Sequence, residues 1–335
     1  MRIALFVFAC ILNASAFAQV GGQRSFEFLN IPADAMVFAL GGVSSTFGTN
    51  VFVQNPSLIV NSDPGNISLS YVSYVADIGL SQLSYVSEFD KIGKIGGSLT
   101  YMNYGTFRGT DATGAVANEF SAADWAFGII YGIQANNFSF GGGMKVIHSG
   151  IGGFGATALA ADLGGGFIHP SKDITVGLTI NNIGFVISEF SETSDSKLPL
   201  DVGIGMSLKP EHMPVRFHLS AYNLQEPDVA YSNQDDQFLE DNDIRFPDFL
   251  FRHISIGTEI LFSKNVAGLL GYNHLRHQEL KLPSSNAAGW NFGFKLDVKN
   301  WVLVYGHSSY NQAGGTNSFT LSTNVNKVFF RKEID

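Results

Sequence analysis

The chain has 335 residues, of which 45% are hydrophobic and only 15% charged, against about 25% charged in an ordinary soluble domain, so intrinsic disorder and coiled coil are excluded. Aromatic residues reach 13% and there are 37 glycines. A net charge of −9 with a pI near 5.3 excludes nucleic acid as a partner, because phosphate affinity comes from clustered Lys and Arg.

In chain order, residues 1–18 read as a cleaved signal peptide: Arg2, an apolar run from Ile3 to Leu12, then Ala16-Phe17-Ala18 as a small-residue cleavage site before Gln19. Cys10, the one cysteine, lies in that run, so the mature chain is expected to hold no disulfide, thiolate metal site or cysteine nucleophile. Residues 19–63 do not alternate. They contain Ile31-Pro32-Ala33-Asp34-Ala35-Met36, the pair Gly41-Gly42, and Val53-Gln54-Asn55-Pro56-Ser57-Leu58.

From residue 64 to the end the pattern changes to period two, the mark of half-buried strands. Ile174, Val176, Leu178 and Ile180 alternate with Thr175, Gly177, Thr179 and Asn181, and Trp290, Phe292 and Phe294 with Asn291, Gly293 and Lys295. The alternation predicts fourteen strands, over 66–75, 79–89, 92–107, 118–134, 137–149, 154–168, 173–183, 198–209, 213–224, 250–262, 265–275, 288–298, 300–309 and 317–329. Beyond the signal, no apolar run is long enough for a membrane-spanning helix. Connectors such as 135–137, 169–172, 263–265 and 299–300 are short and rich in turn formers, while 108–117, 184–197, 225–249, 276–287 and 310–316 are long and polar. Strands of this length with short turns on one side and long loops on the other predict an all-β, outer-membrane antiparallel β-barrel.

In such a barrel the apolar set faces lipid and the polar set faces the lumen. That parity places Lys145 near Asp162, and Arg216 and His218 near His253 and Glu259. These residues are expected to brace the lumen as an ion-pair network, with a solute path or proton relay as the alternative.

Here the motifs point to a family. Phe26 to Leu29, the Pro32 segment, Ala39-Leu40-Gly41-Gly42 and Asn55-Pro56-Ser57 resemble the N-terminal hatch of FadL-like barrels. Asn103 to Phe107 and Arg252 to Gly257 resemble the PorV/PorQ group of the type IX secretion system, and its PorQ branch most. The resemblance implies fourteen strands with residues 19–63 as a plug in the lumen. It also implies a bacterial outer-membrane location and a place in an attachment complex, holding a PorZ-like surface protein beside PorU and PorV. Ser57 stands where the hatch motif usually carries alanine.

No catalytic constellation emerges, and no enzyme activity or cofactor is expected. His274 and His277, three apart on a predicted strand, would point to opposite faces. Gly150-x-Gly152-x-x-Gly155 has dinucleotide-binding spacing but no helix after it. The loop from Gln225 to Asp248 is strongly acidic, with Glu226, Asp228, Asp235, Asp236, Glu240, Asp241 and Asp243 beside Tyr231. It reads as a solvated face, a partner-docking loop, or a calcium site, since hard oxygen ligands suit that ion. Two functions follow: a non-enzymatic platform displaying loops to a surface partner, or a FadL-like channel for hydrophobic molecules. A channel should line its lumen with an apolar track, and the predicted charges favour the platform.

Overall fold

The computed structural model describes residues 25–74, 78–110, 116–226, 229, 246–280, 287–311 and 314–329. The predicted signal peptide lies outside these, as do residues 19–24 of the predicted plug and the acidic-loop residues Asp228, Tyr231, Asp235, Asp236, Glu240, Asp241 and Asp243.

Fourteen antiparallel strands close into one barrel: β1 (Asn66–Ser73), β2 (Gly79–Phe89), β3 (Gly93–Thr110), β4 (Val116–Ala135), β5 (Phe138–Ile151), β6 (Phe154–Ile168), β7 (Asp173–Ser188), β8 (Asp201–Lys209), β9 (Val215–Ala221), β10 (Ile254–Leu261), β11 (Val266–Asn273), β12 (Trp290–Val298), β13 (Trp301–Asn311) and β14 (Gly314–Asn324). β1 pairs with β14 to close it, Leu69 opposite Leu321 and Ser70 opposite Thr320. Closure removes the sheet edge that a bilayer cannot satisfy. The period-two pattern becomes the two faces of the wall: Leu178, Ile204, Phe127 and Phe292 are outward and exposed, while Thr179, Ser207, Ser98 and Asn291 between them are buried inward.

Four expectations about strand ends and connectors are corrected. Residues 246–252 form helix α3 (Phe246–Arg252) and residues 274–280 helix α4 (His274–Leu280), where strand ends and loop were expected. In both, strand pairing has ended and the backbone satisfies its own hydrogen bonds. The chain past β14 is likewise helical, Val325–Phe329. β7 runs to Ser188, so Gly184 to Ser188 are strand and not loop. The five consecutive strands β3 to β7 have 14 to 20 residues, whereas β8 to β12 have 7 to 9. The wall is therefore tall on one side. The Gly150–Gly155 motif is a hairpin: Gly152 and Gly153 both take positive φ, 57° and 91°, as a two-residue primed turn demands.

Residues 25–63 pack against the inner face as short pieces: a 3-10 turn at Glu27–Asn30, α1 (Ala35–Ala39), α2 (Val51–Gln54) and a 3-10 turn at Pro56–Asn61. Their fit depends on inward glycines. A Cβ at Gly141 would collide with the backbone of Pro56 and Ser57, at Gly177 with the Ser45 carbonyl, and at Gly271 with the backbone between Leu40 and Gly41. Gly141→Val should force the Pro56 turn off the wall at a cost of about 1 to 3 kcal/mol, the range for overpacking. We expect a barrel that still migrates as folded on a gel but is newly cut by protease between residues 43 and 62. Unchanged protease resistance would refute this packing.

Candidate functional site

The candidate site is the barrel interior. Sequence motifs of the N-terminal segment supply its inner lining. Asp34 caps α1 with no exposed surface: Oδ1 accepts from Met36 N at 2.8 Å and Thr49 Oγ1 at 3.1 Å, and Oδ2 from Asn50 N at 2.9 Å. One carboxylate thereby ties both ends of the 34–50 segment together. Sequence reading did not single it out, although an Asp preceding an Ala-rich stretch is an N-cap signature. Gly41 and Gly42 end α1 with φ of 111° and 84°, left-handed values natural to glycine after a helix. Asn273 Nδ2 donates to the Gly41 carbonyl at 3.1 Å.

Asn55 is fully buried, and its Nδ2 donates to the carbonyls of Ser45 at 2.8 Å and Gly165 at 3.2 Å. Its Oδ1 accepts from Ser57 N at 3.1 Å and Ser57 Oγ at 2.7 Å. The serine that replaces the usual alanine thus adds a hydrogen bond within the motif. Pro56 opens the following 3-10 turn, a position where its missing N–H costs nothing.

Two clusters of charge stand on the inner wall. In the first, Lys145 Nζ lies 2.9 Å from Asp162 Oδ2 and 2.6 Å from Asn182 Oδ1, while Asn182 N donates to Asp162 Oδ1 at 2.8 Å. Asn182 joins because a bulge between β6 and β7 gives it φ 62° and shifts the inward parity by one. Asparagine tolerates that conformation, and the Asn181-Asn182 pair was the available signal. In the second, Arg216 bridges Asp173 at 2.7 Å and Glu259 at 3.2 Å, and Glu259 stands 3.9 Å from His218 Nε2.

His253 does not join that second cluster. It shares the inward parity of Glu259 but sits six residues away along the wall, roughly 20 Å at about 3.3 Å per strand residue. There its Nδ1 is 3.0 Å from the Tyr222 carbonyl oxygen. Parity assigned its face, and distance along the strand separates it.

Ser207 Oγ is 2.8 Å from His218 Nδ1, which with Glu259 gives a serine, a histidine and an acid in a row. Thr46 Oγ1 holds Ser207 at 2.7 Å and the Phe47 ring covers His218 at 4.3 Å. All three members are buried, and none lines the interior cavity. This row is a clamp on the N-terminal segment.

That cavity has a volume of about 430 Å³. Its wall side carries Lys145, Asp162, Asn182 and Asp201 together with the apolar Ala126 and Ile130, α4 contributes Arg276 and Glu279, and its inner side Phe28, Ile31 and Pro32. The lumen is not uniformly polar, as parity alone suggested. Val72, Leu80, Met102 and Ile147 face inward and are buried against Phe26, Phe28 and Phe38. Those inward apolar positions exist because the N-terminal phenyl rings need an apolar complement.

Above the wall, Asp248 of α3 accepts from His274 Nε2 at 2.7 Å and Arg252 Nε at 2.9 Å. The His274 bond, then the Arg252 contacts, hold its carboxyl below the ordinary 3.8. A lowered folded-state pKa contributes stability that is present above the unfolded value and lost as pH falls through the folded one. Acidifying from about pH 5 to about pH 3 should therefore loosen α3 from α4, read as lower amide protection over 248–253 relative to the intrinsic exchange rate at each pH. Protection unchanged over that range would refute the contact's role. His274 and His277 sit on one helix, rings 6.4 Å apart, correcting the opposite-face expectation, because i and i+3 share a helical face. Among the described residues no three His, Cys, Asp or Glu side chains gather as a metal site. The acidic-loop residues Asp228, Tyr231, Asp235, Asp236, Glu240, Asp241 and Asp243, and with them the calcium alternative, lie outside the described residues.

Comparison with protein-family models gives no match, and no curated protein matches in sequence. Solved structures do match. A TodX deltaS2S3 mutant, a monoaromatic hydrocarbon channel, superposes with TM-score 0.55 at 13% identity, covering 87% of this chain and 98% of that one. The Ralstonia pickettii toluene transporter TbuX superposes with TM-score 0.54 at 9% identity, covering 88% and 99%. The chain is an all-β outer-membrane-type barrel. Its fold is the one it shares with these two channels.

Proposed function

We propose that this barrel is a non-enzymatic outer-membrane platform that holds a protein partner on the cell surface, with residues 19–63 as a resident plug. The observation that carries the reading is the interior. The chain's own Phe26, Phe28 and Phe38 occupy the inward apolar patch, and the cavity that is left sets the charged Lys145, Asp162 and Asp201 among its apolar lining, which breaks a continuous apolar track. The particular role, a PorQ-like component retaining a PorZ-like protein beside PorU and PorV in a type IX attachment complex, rests on the sequence motifs alone.

A second reading has its own support. The likeness to TodX and TbuX favours a FadL-like channel for hydrophobic small molecules, and in that case the apolar patch would be the start of its path. Deleting Tyr231 to Asp243 separates the two, since surface loops tolerate shortening. The platform reading expects normal heat-modifiable migration with reduced retention of the surface partner. Full retention together with loss of hydrophobic-solute uptake when the Asn55-Pro56 turn is altered would favour the channel. A tag inserted after Asp236 should be labelled on intact cells and one at Asn300 should not. Labelling at Asn300 alone would invert the barrel and overturn the platform.

A further inference from the structure

The tall side of the wall ends in an edge that no other described strand pairs. β7 has sixteen residues, more than the roughly 9 to 11 that a tilted strand needs to cross the apolar layer. In a bilayer of ordinary thickness its last third would extend beyond the hydrocarbon at the long-loop end. β8 pairs with β7 only from Lys209 to Asp201, opposite Asp173 to Asn181. From Ile183 to Ser188, β7 pairs with β6 alone. Among the described residues no strand lies on its other side. The returning 189–200 connector, all of it described, makes no backbone bond to these residues.

The sequence of this edge is Ile183-Gly184-Phe185-Val186-Ile187-Ser188, without a charge. Phe185 is 65% exposed and Ile187 56%. The opposite end of the same raised wall makes a sharp contrast. β3 loses its β2 partner beyond Asn103, but there the edge is broken by shifts at Asn103/Thr106 and Arg108/Thr110. It also carries a left-handed Gly105 and the exposed Arg108. Charges and bulges are how proteins protect an edge from pairing with other chains. One edge of this five-stranded wall has that protection in full, and the other presents apolar side chains.

We infer that Ile183 to Ser188 is a docking edge that takes an extended strand of the surface partner, with apolar side chains at alternate positions against Phe185 and Ile187. Backbone pairing supplies the affinity in such strand addition and the alternate side chains the specificity. The unpaired backbone is what selects a strand over lipid, since acyl chains cannot bond it. The inference rests on the platform reading.

The test uses the full barrel and the surface protein that co-purifies with it from outer membranes. Amides 183–188 should exchange slowly in the complex and rapidly in the barrel alone. The double variant Phe185→Lys, Ile187→Lys should assemble normally and retain about tenfold less partner or lower, as loss of a central anchor does. Equal exchange in both states, or full retention by the double variant, overturns the docking edge and leaves the platform standing. A photoreactive benzoylphenylalanine at position 185 that cross-links only to a second copy of this chain also overturns it. A wild-type barrel that retains no surface protein while admitting hydrophobic solutes removes both readings.

Discussion

Lys145→Met should destabilise the barrel by about 3 to 5 kcal/mol, the cost of leaving a buried carboxylate without its cation. Asp162 is only 4% exposed, and after the substitution its remaining direct partner is the backbone N–H of Asn182. Refolding in a urea series, read by heat-modifiable migration, measures the loss. The double variant Lys145→Met, Asp162→Asn should recover most of it, because no charge is then stranded. A single variant as stable as the parent would mean that water in the adjoining cavity solvates Asp162, and that the pair contributes little.

Leu178→Arg should cost about 2 to 4 kcal/mol, the penalty for a guanidinium on the lipid face near mid-depth. Leu178 is 50% exposed on the outer face of β7, between inward Gly177 and Thr179. Less folded barrel should reach the outer membrane, with the chain instead found in the protease-sensitive pool. Thr179→Ser, one residue away on the buried face, keeps the hydroxyl that meets Ser45 Oγ at 3.2 Å and should assemble nearly as well as the parent. If both assemble equally well, the outer face of β7 does not meet lipid.

These two substitutions separate what parity can and cannot tell. Parity is a local property of an extended chain, so it placed Leu178 outside, and Lys145 and Asp162 inside on adjacent strands. Position along the barrel is not local. His253 has the right parity and the wrong height, and α3 and α4 took chain that alternation alone extends as strand. Asn182 entered the Lys145 cluster through a bulge, and bulges leave almost no trace in a hydrophobic pattern. Asp34 was legible as a helix cap, yet its bonds to Thr49 and Asn50 required a fold-back that the sequence between does not announce.

By itself the sequence determined that this chain makes about fourteen strands, with one apolar and one small or polar face, because a residue period of two has a single geometric meaning. It also marked residues 19–63 as different in kind. Only the tertiary structure decided how those residues meet the wall, since that contact turns on which inward positions are glycine at the height where Pro56, Ser45 and Leu40 arrive. The tertiary structure likewise set the unequal heights of β7 and β8, and so left Ile183 to Ser188 with an open edge. Strand pairing depends on two segments at once, and neither alone records where its neighbour stops.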